Sequence, residues 1–337
     1  MGNNKMKQKI SKVWNHYSFI FVFFAIFLFY LIVSNGLTWG GVTNILRHSS
    51  VIGLVALGAG LVIITGDIDL SVGSMLAFTS GFSVCVFNAT HSIMMTFLFA
   101  VLCGALCGAI NGILVGEAKM PSFIVTLATM LIYRSLAQYS CQRLDSGLTG
   151  GGNSLFKITK EIAGYNQLYS FGNGKLLTIP NAGWILLLFT VLCVYLAGST
   201  KFGKKLYAIG SNEKSSRLAG INVSVNRIAV FVICGILVGL AAFLWISMNG
   251  SADPATTGVS YEMYAIAAVV LGGIAMSGGK GRTLGILFGT MSYTIIDKII
   301  VALKMDSLIN DTIKGVILLA VILVQTAGPE LRKKFHK

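Results

Sequence analysis

Asp67 and Asp69 stand two residues apart in Thr65-Gly66-Asp67-Ile68-Asp69-Leu70-Ser71-Val72-Gly73, between the apolar runs Val51–Ile64 and Leu70–Phe87. A carboxylate inside a hydrophobic span costs several kcal/mol unless it is paired or meets water. Asn111, Phe123, Tyr261 and Glu262 lie in or beside further apolar runs. Together with Asp67, Asp69 and Ser71, these types could hydrogen-bond the hydroxyls of a sugar and lay a ring against its apolar face. Each also has a plainer use: Asn111 can bond across helices, Phe123 can pack, and Glu262 can cap a helix. Covalent chemistry finds no foothold. The four histidines (His16, His48, His91 and His336) are scattered, and the six cysteines lack metal-ligand spacing. Five of those cysteines lie in apolar runs, as small packing residues do. Gly273 to Lys280 resembles a phosphate loop only superficially, since its spacing is wrong and Gly281 stands where Ser or Thr is required. No metal or cofactor is expected.

The elements that must hold these residues are transmembrane helices. Apolar residues make up 55% of the 337 and charged ones 11%, against about 25% charged in soluble domains. The mean hydropathy is +0.78. Ten apolar segments follow one another: Phe19–Val33, Val51–Ile64, Leu70–Phe87, Ile93–Leu114, Ile124–Ala137, Trp184–Ala197, Ile228–Met248, Met263–Met276, Leu284–Ile296 and Ile313–Val324. Val51–Ile64 has 14 residues. As helix it would reach about 21 Å, short of a hydrocarbon core of about 30 Å. The spacing therefore predicts a break near Gly66 and a new helix at Asp69 or Leu70, with Asp69 as its N-cap. A tight polar turn at the membrane surface is the alternative. The basic start leads into an apolar run too long for a signal-peptide core, so no cleavable leader is expected.

A net charge of +14 invites a nucleic-acid reading, but its distribution reports orientation instead. With the N-terminus inside, 17 of the 26 basic residues fall on that side and eight on the other. The positive-inside rule then puts both termini in the cytoplasm. The expected layout is a basic cytoplasmic N-terminus (1–18), a transmembrane domain (19–324) and a basic cytoplasmic tail (325–337). Within the domain, 138–183 forms an external loop and 198–227 a cytoplasmic one.

Gly104-x3-Gly108-x3-Gly112 has a counterpart in Gly281-x3-Gly285-x3-Gly289. The polar breaks Gly66–Asp69 and Asn249–Glu262 also fall in corresponding places. Five segments per half would make the two halves inverted, and paired breaks are pointers to a transporter's midplane pathway. Gly spaced by four can equally mean only close helix packing. In the cytoplasmic loop, Ser211 or Asn212 can cap a short amphipathic helix that Gly220 ends. Such a helix could lie on lipid or dock into a groove of a soluble partner.

Three stretches resemble the membrane permeases of ATP-binding-cassette (ABC) importers of the ribose, galactoside and xylose type. Gly66-Asp67-Ile68-Asp69-Leu70-Ser71-Val72-Gly73-Ser74 resembles that family's Gly-x-Asp-Leu-Ser-x-Gly stretch. Ala208-Ile209-Gly210-Ser211-Asn212-Glu213 through Arg217-Leu218-Ala219-Gly220-Ile221-Asn222 is similar to its coupling loop. Ala265–Gly273, continuing to Gly278-Gly279-Lys280-Gly281-Arg282, is similar to its C-terminal signature. Pro121-Ser122-Phe123-Ile124-Val125-Thr126-Leu127 is a weaker fourth match. The chain departs from the pattern at Tyr264, where an acidic residue is common, and at Asp67, where a small uncharged one is. The ten segments and the paired breaks lead to an expected all-α polytopic membrane protein of about ten transmembrane helices in two inverted five-helix repeats. The resemblance implies import of a monosaccharide, ribose favoured, across a bacterial plasma (inner) membrane.

The implied partners are an ATP-binding-cassette ATPase subunit, an extracellular or periplasmic sugar-binding protein, a second permease copy or paralogue, and membrane lipid. ATP would be used by the partner subunit, so the chain itself is no enzyme. Gly210, Asn212, Glu213, Arg217, Leu218, Gly220 and Ile221 would form the ATPase-coupling surface. Asp67, Asp69, Ser71, Asn111, Phe123, Tyr261 and Glu262 would line the substrate pathway. A self-powered secondary transporter or channel for a small polar solute is the alternative, but a coupling-type loop has little purpose without a soluble partner.

Overall fold

In the computed structural model, residues 19–306 are described except 35 and 37, together with 309, 312–317, 319–320 and 323. The stretches 1–18 and 325–337, and part of the tenth apolar segment, lie outside the described residues. The helices are α1 (Phe19–Val33), α2 (Trp39–Ile64), α3 (Val72–Thr90), α4 (Ile93–Gly116), α5 (Ser122–Arg143), α6 (Ser146–Thr149) and α7 (Tyr165–Asn173). They continue with α8 (Asn181–Ser199), α9 (Lys201–Ser211), α10 (Glu213–Leu218), α11 (Val223–Asn249), α12 (Tyr261–Leu271) and α13 (Thr283–Ala302). Residues 312–317 and 319–320 are helical as well, and two-residue strands pair elsewhere. β1 (Phe156–Lys157) pairs antiparallel with β4 (Ser251–Ala252), and β2 (Lys175–Leu176) with β3 (Ile179–Pro180). Among the described residues six helices, α2, α3, α4, α8, α11 and α13, are long and apolar enough to cross a membrane. Leu102, Leu106, Leu131 and Val191 are each more than 60% exposed, a surface suited to lipid rather than water. The chain is an integral membrane protein.

The chain does break at Gly66, as expected, but the helix before it is not short. α2 runs for 26 residues, about 39 Å, because Asn44, Arg47, His48 and Ser49 continue the helix before the apolar run begins. Polar residues are tolerated in it because they find partners: Arg47 donates to Asn173, and Ser49 donates to Thr294 at 2.9 Å. The short helix is instead α12, with 11 residues.

α2 and α11 form the buried centre of the bundle. α11 packs on α4, α2 and α3, while α2 packs also on α13, α12 and α8. The α4–α11 contact is backbone-close: a β carbon on Gly108 would collide with the Phe231 carbonyl and lie 3.1 Å from the Gly235 Cα. Small residues permit this approach, which gives dispersion contact where lipid supplies no hydrophobic drive. Gly285 and Gly289 of α13 meet α12 in the same way. The two glycine stripes therefore pack differently, one on α11 and one on the adjacent half-length helix.

The helix ends gather at two poles. One holds the turn after α2, the end of α4, the α9–α10 pair and the loop between α12 and α13. The other holds α6, α7 and the strand pairs, where Trp39 Nε1 donates to Thr178 Oγ1 at 2.8 Å. The second pole is better ordered than its Gly- and Ser-rich sequence suggests: α5 runs on to Arg143, and α8 begins at Asn181.

Candidate functional site

The turn 65–71 joins the end of α2 to the start of α3. Asp67 and Asp69 are both buried there, 6% and 2% exposed, and they have separate jobs. Asp69 Oδ1 accepts from the Ser71 N–H at 2.8 Å and from the Ser71 hydroxyl at 2.6 Å. Asn111 Nδ2 donates to Ser71 Oγ at 2.8 Å, so Asp69, Ser71 and Asn111 form one chain of bonds between the turn and α4. Ile68 is clasped by α5: its N–H donates to Ser122 Oγ at 3.3 Å, and Thr126 Oγ1 donates to its carbonyl at 3.3 Å.

Asp69 is not the N-cap of α3. The helix begins at Val72, later than expected, and the cap position belongs to Ser71, whose side chain makes no capping bond. From two residues further back, the Asp69 carboxylate closes a local turn on the Ser71 N–H instead.

Asp67 has the ionic partner. Arg227 Nε donates to Asp67 Oδ2 at 2.8 Å, and Arg227 Nη2 donates to Glu213 Oε2 at 2.9 Å. Arg217 Nη2 and Nε reach Glu213 Oε1 at 2.7 Å and 3.0 Å. One chain of charges thus runs from the first turn of α10, through the first turns of α11, into the turn after α2. Partial desolvation alone would raise the Glu213 carboxyl. The bonds from Arg217 and Arg227 outweigh it and hold the group below the usual carboxylate range. Asn212 caps α10, its side chain accepting from the Ser215 N–H at 2.8 Å, and Gly220 follows the helix at φ +80°. Between them Leu218 stands 85% exposed.

The loop 272–282 closes over the same place. The Gly279 N–H donates to the Ile64 carbonyl at 2.9 Å, and Tyr207 donates to the Gly281 carbonyl at 3.1 Å. A β carbon on Gly210 would collide with the Ile64 carbonyl and lie 2.5 Å from the Gly279 nitrogen. Three stretches more than 60 residues apart in the chain therefore meet at one junction.

A second cluster lies where α3, α5 and α12 meet. The segment 250–260 turns back from the end of α11, and Arg134 of α5 pins it by donating to the Pro254 and Thr257 carbonyls at 3.0 Å and 2.6 Å. This satisfies backbone that lipid could not. A β carbon on Gly73 would lie 2.5 Å from Glu262 Oε2, so the starts of α3 and α12 touch. In the sequence Arg134 is one charge inside an apolar run, with no motif around it to mark its partners.

Of the expected pathway residues, Asp67, Asp69, Ser71 and Asn111 come together. Glu262 stands beside Gly73, while Tyr261 packs edge-on to Trp245 at a centroid distance of 6.2 Å. Phe123 is 53% exposed on the first turn of α5 and joins neither group. Among the described residues no cluster of His, Cys, Asp and Glu could hold a metal.

The pattern that defines the family described as branched-chain amino acid transport system / permease component matches residues 41–324. The chain belongs to that permease family. The ribose import permease protein RbsC of Escherichia coli K12 is 34% identical to this permease over 292 residues, covering 86% of this chain and 87% of the relative. RbsC of Bacillus subtilis is 36% identical over 284 residues, 84% of each chain. The autoinducer 2 import system permease protein LsrC of Yersinia enterocolitica is also 36% identical over 284 residues, 83% of this chain and 73% of the relative. No solved structure matches. The permease is thus a transport component rather than an enzyme.

Proposed function

We propose that this permease translocates a monosaccharide, ribose before others, as the membrane subunit of an ATP-driven importer. A binding protein outside the cell delivers the sugar, and a separate ATP-binding-cassette subunit supplies the energy. The observation that carries the reading is α10. It is a capped helix with Leu218 fully presented at its tip, and a chain of charges ties it through Glu213, Arg227 and Asp67 to the turn after α2. A soluble subunit gripping α10 would pull on that turn directly. Asn212, Glu213, Arg217, Leu218, Gly220 and Ile221 form the docking surface, Gly210 instead seats α9 against the turn after α2, and ATP stays on the partner. Asp67, Asp69, Ser71, Asn111 and Glu262 line or frame the path.

The permease works as a pair, with a second copy or a paralogue, in the bacterial inner membrane. Both termini and the α9–α10 pole face the cytoplasm, and about ten spans form two inverted halves. Packing supports the inversion: α11 lies against α3 and α4 as α2 lies against α12 and α13. Ribose is favoured because relatives that cover most of both chains are named for its import, and autoinducer 2 is the competitor to test beside it.

Deleting the gene and restoring it should abolish and restore uptake of labelled ribose, and an ATPase subunit should co-purify with the tagged permease. Unchanged ribose uptake in the deletion strain would remove the substrate assignment. Co-purification that survives Leu218→Asp together with Gly220→Val would remove the docking surface. Asn153→Cys should react with an impermeant thiol reagent on intact cells, and labelling only after disruption would reverse the orientation.

A further inference from the structure

Between α1, α2, α12 and α13 lies an open cavity of about 550 Å³. Its walls are tyrosines, Tyr30, Tyr261, Tyr264 and Tyr293, with His48 and Asp297 beside them. Asp297 on the wall is paired from behind: Lys314 Nζ lies 2.6 Å from its Oδ1, and Lys314 is 9% exposed. The same ammonium sits 4.6 Å from the Tyr264 ring centroid and 4.8 Å from that of Tyr293. Tyr261, Tyr264 and Tyr293 succeed one another at centroid distances of 5.9 and 5.2 Å, forming a continuous aromatic wall.

Lipid tails fill clefts lined by Leu, Ile and Phe. They have no use for a carboxylate, an ammonium and an imidazole. A charged solute would meet its own sign in Lys314 and Lys298, or in Asp297. A neutral polyol suits all of these groups: its hydroxyls can donate to the carboxylate and accept from ammonium, phenol or imidazole, while its C–H face lies on a ring. We infer that this cavity is a binding site for a neutral monosaccharide within the permease, with Tyr261 and Tyr264 as the stacking wall and Asp297, Lys298 and His48 as the hydroxyl partners. The inference rests on the sugar-import reading and adds the place where the permease itself holds its cargo, apart from the buried cluster of Asp67, Asp69, Ser71 and Asn111.

Val301 and Ala302 on the rim are exposed, so they can be changed without disturbing the core. Ala302→Cys in the purified full chain should react with a methanethiosulfonate reagent several-fold more slowly in 50 mM D-ribose than in 25 mM sodium chloride, which matches its osmolarity. Val301→Trp, which overhangs the mouth, and Ile52→Trp, which fills the interior, should each lower ribose uptake at least tenfold at equal amounts of permease in the membrane. Leu188→Trp, on the lipid-exposed face of α8, should be silent. Wild-type uptake with unslowed labelling and active Val301→Trp would overturn the cavity site while leaving sugar import intact. Slowed labelling in a strain that takes up no ribose would keep the site and remove the import reading.

Discussion

Arg227 offers the sharpest test of the charge chain, because its two partners differ in burial. The Asp67 side chain is 7% exposed and the Arg227 side chain 17%, whereas that of Glu213 is 38% exposed. Removing one partner of a buried pair strands the other, at about 3–5 kcal/mol. Asp67 would keep only a share of the Thr65 hydroxyl, 3.1 Å from its Oδ2 and 2.7 Å from the Val62 carbonyl, so a loss within that range applies. The Glu213 arm is open to water and adds under about 1 kcal/mol. Arg227→Ala should therefore lower the unfolding free energy by about 3–5 kcal/mol, as read by denaturant titration in mild detergent. Asp67→Ala removes the stranded charge together with its need for a partner. The double variant should consequently fall short of the sum of the two single losses by at least about 2 kcal/mol. Glu213→Ala should leave stability nearly unchanged while uncoupling ATPase activity from transport. Additivity of the Arg227 and Asp67 losses within about 0.5 kcal/mol would refute the pair as the link between α10 and the membrane turn.

Gly108→Leu drives a side chain into the Phe231 carbonyl and should abolish recovery of folded permease, whereas Gly198→Ala, with nothing within 4 Å of the new carbon, should be silent in size-exclusion profiles. Asp69→Asn keeps an acceptor for the Ser71 N–H and hydroxyl and should retain most transport. Asp69→Ala loses both bonds, about 1–3 kcal/mol, and equal uptake by the two variants would show that the turn does not depend on them. Because the Glu213 carboxyl lies below its ordinary range when folded, its stabilising contribution is complete above that range and fades as pH falls through the folded value. Docking of the ATPase should be flat from pH 6 to 8, by about the precision of a binding assay, and weaken only in acid. Glu213→Gln should remove that acid limb, since no carboxylate remains to titrate.

Much of the architecture is legible without coordinates because the membrane imposes one rule on every span. Backbone bonds must close within the segment, so apolar length alone marks helices. Nine of the ten apolar segments correspond to described helices, and Asn212 and Gly220 mark the limits of α10 through their own local geometry. The family resemblance follows from the same short stretches. Apolar length could not show that α2 extends back through Arg47 and His48, because a polar residue ends a helix only if it lacks a partner, and the partners are Asn173 and Thr294 from distant helices. Local spacing made Asp69 a cap, yet the start of α3 is set by the clasp from Ser122 and Thr126 and by the bond from Asn111. The pairing of Asp67 with Arg227, 160 residues away, and of Arg134 with carbonyls 120 and 123 residues away, leaves no periodic trace in the chain. Sequence by itself determined which residues are costly to bury. Only the tertiary structure decided which partner each one meets, because an ion pair or a hydrogen bond depends on distances of about 3 Å that chain order does not encode.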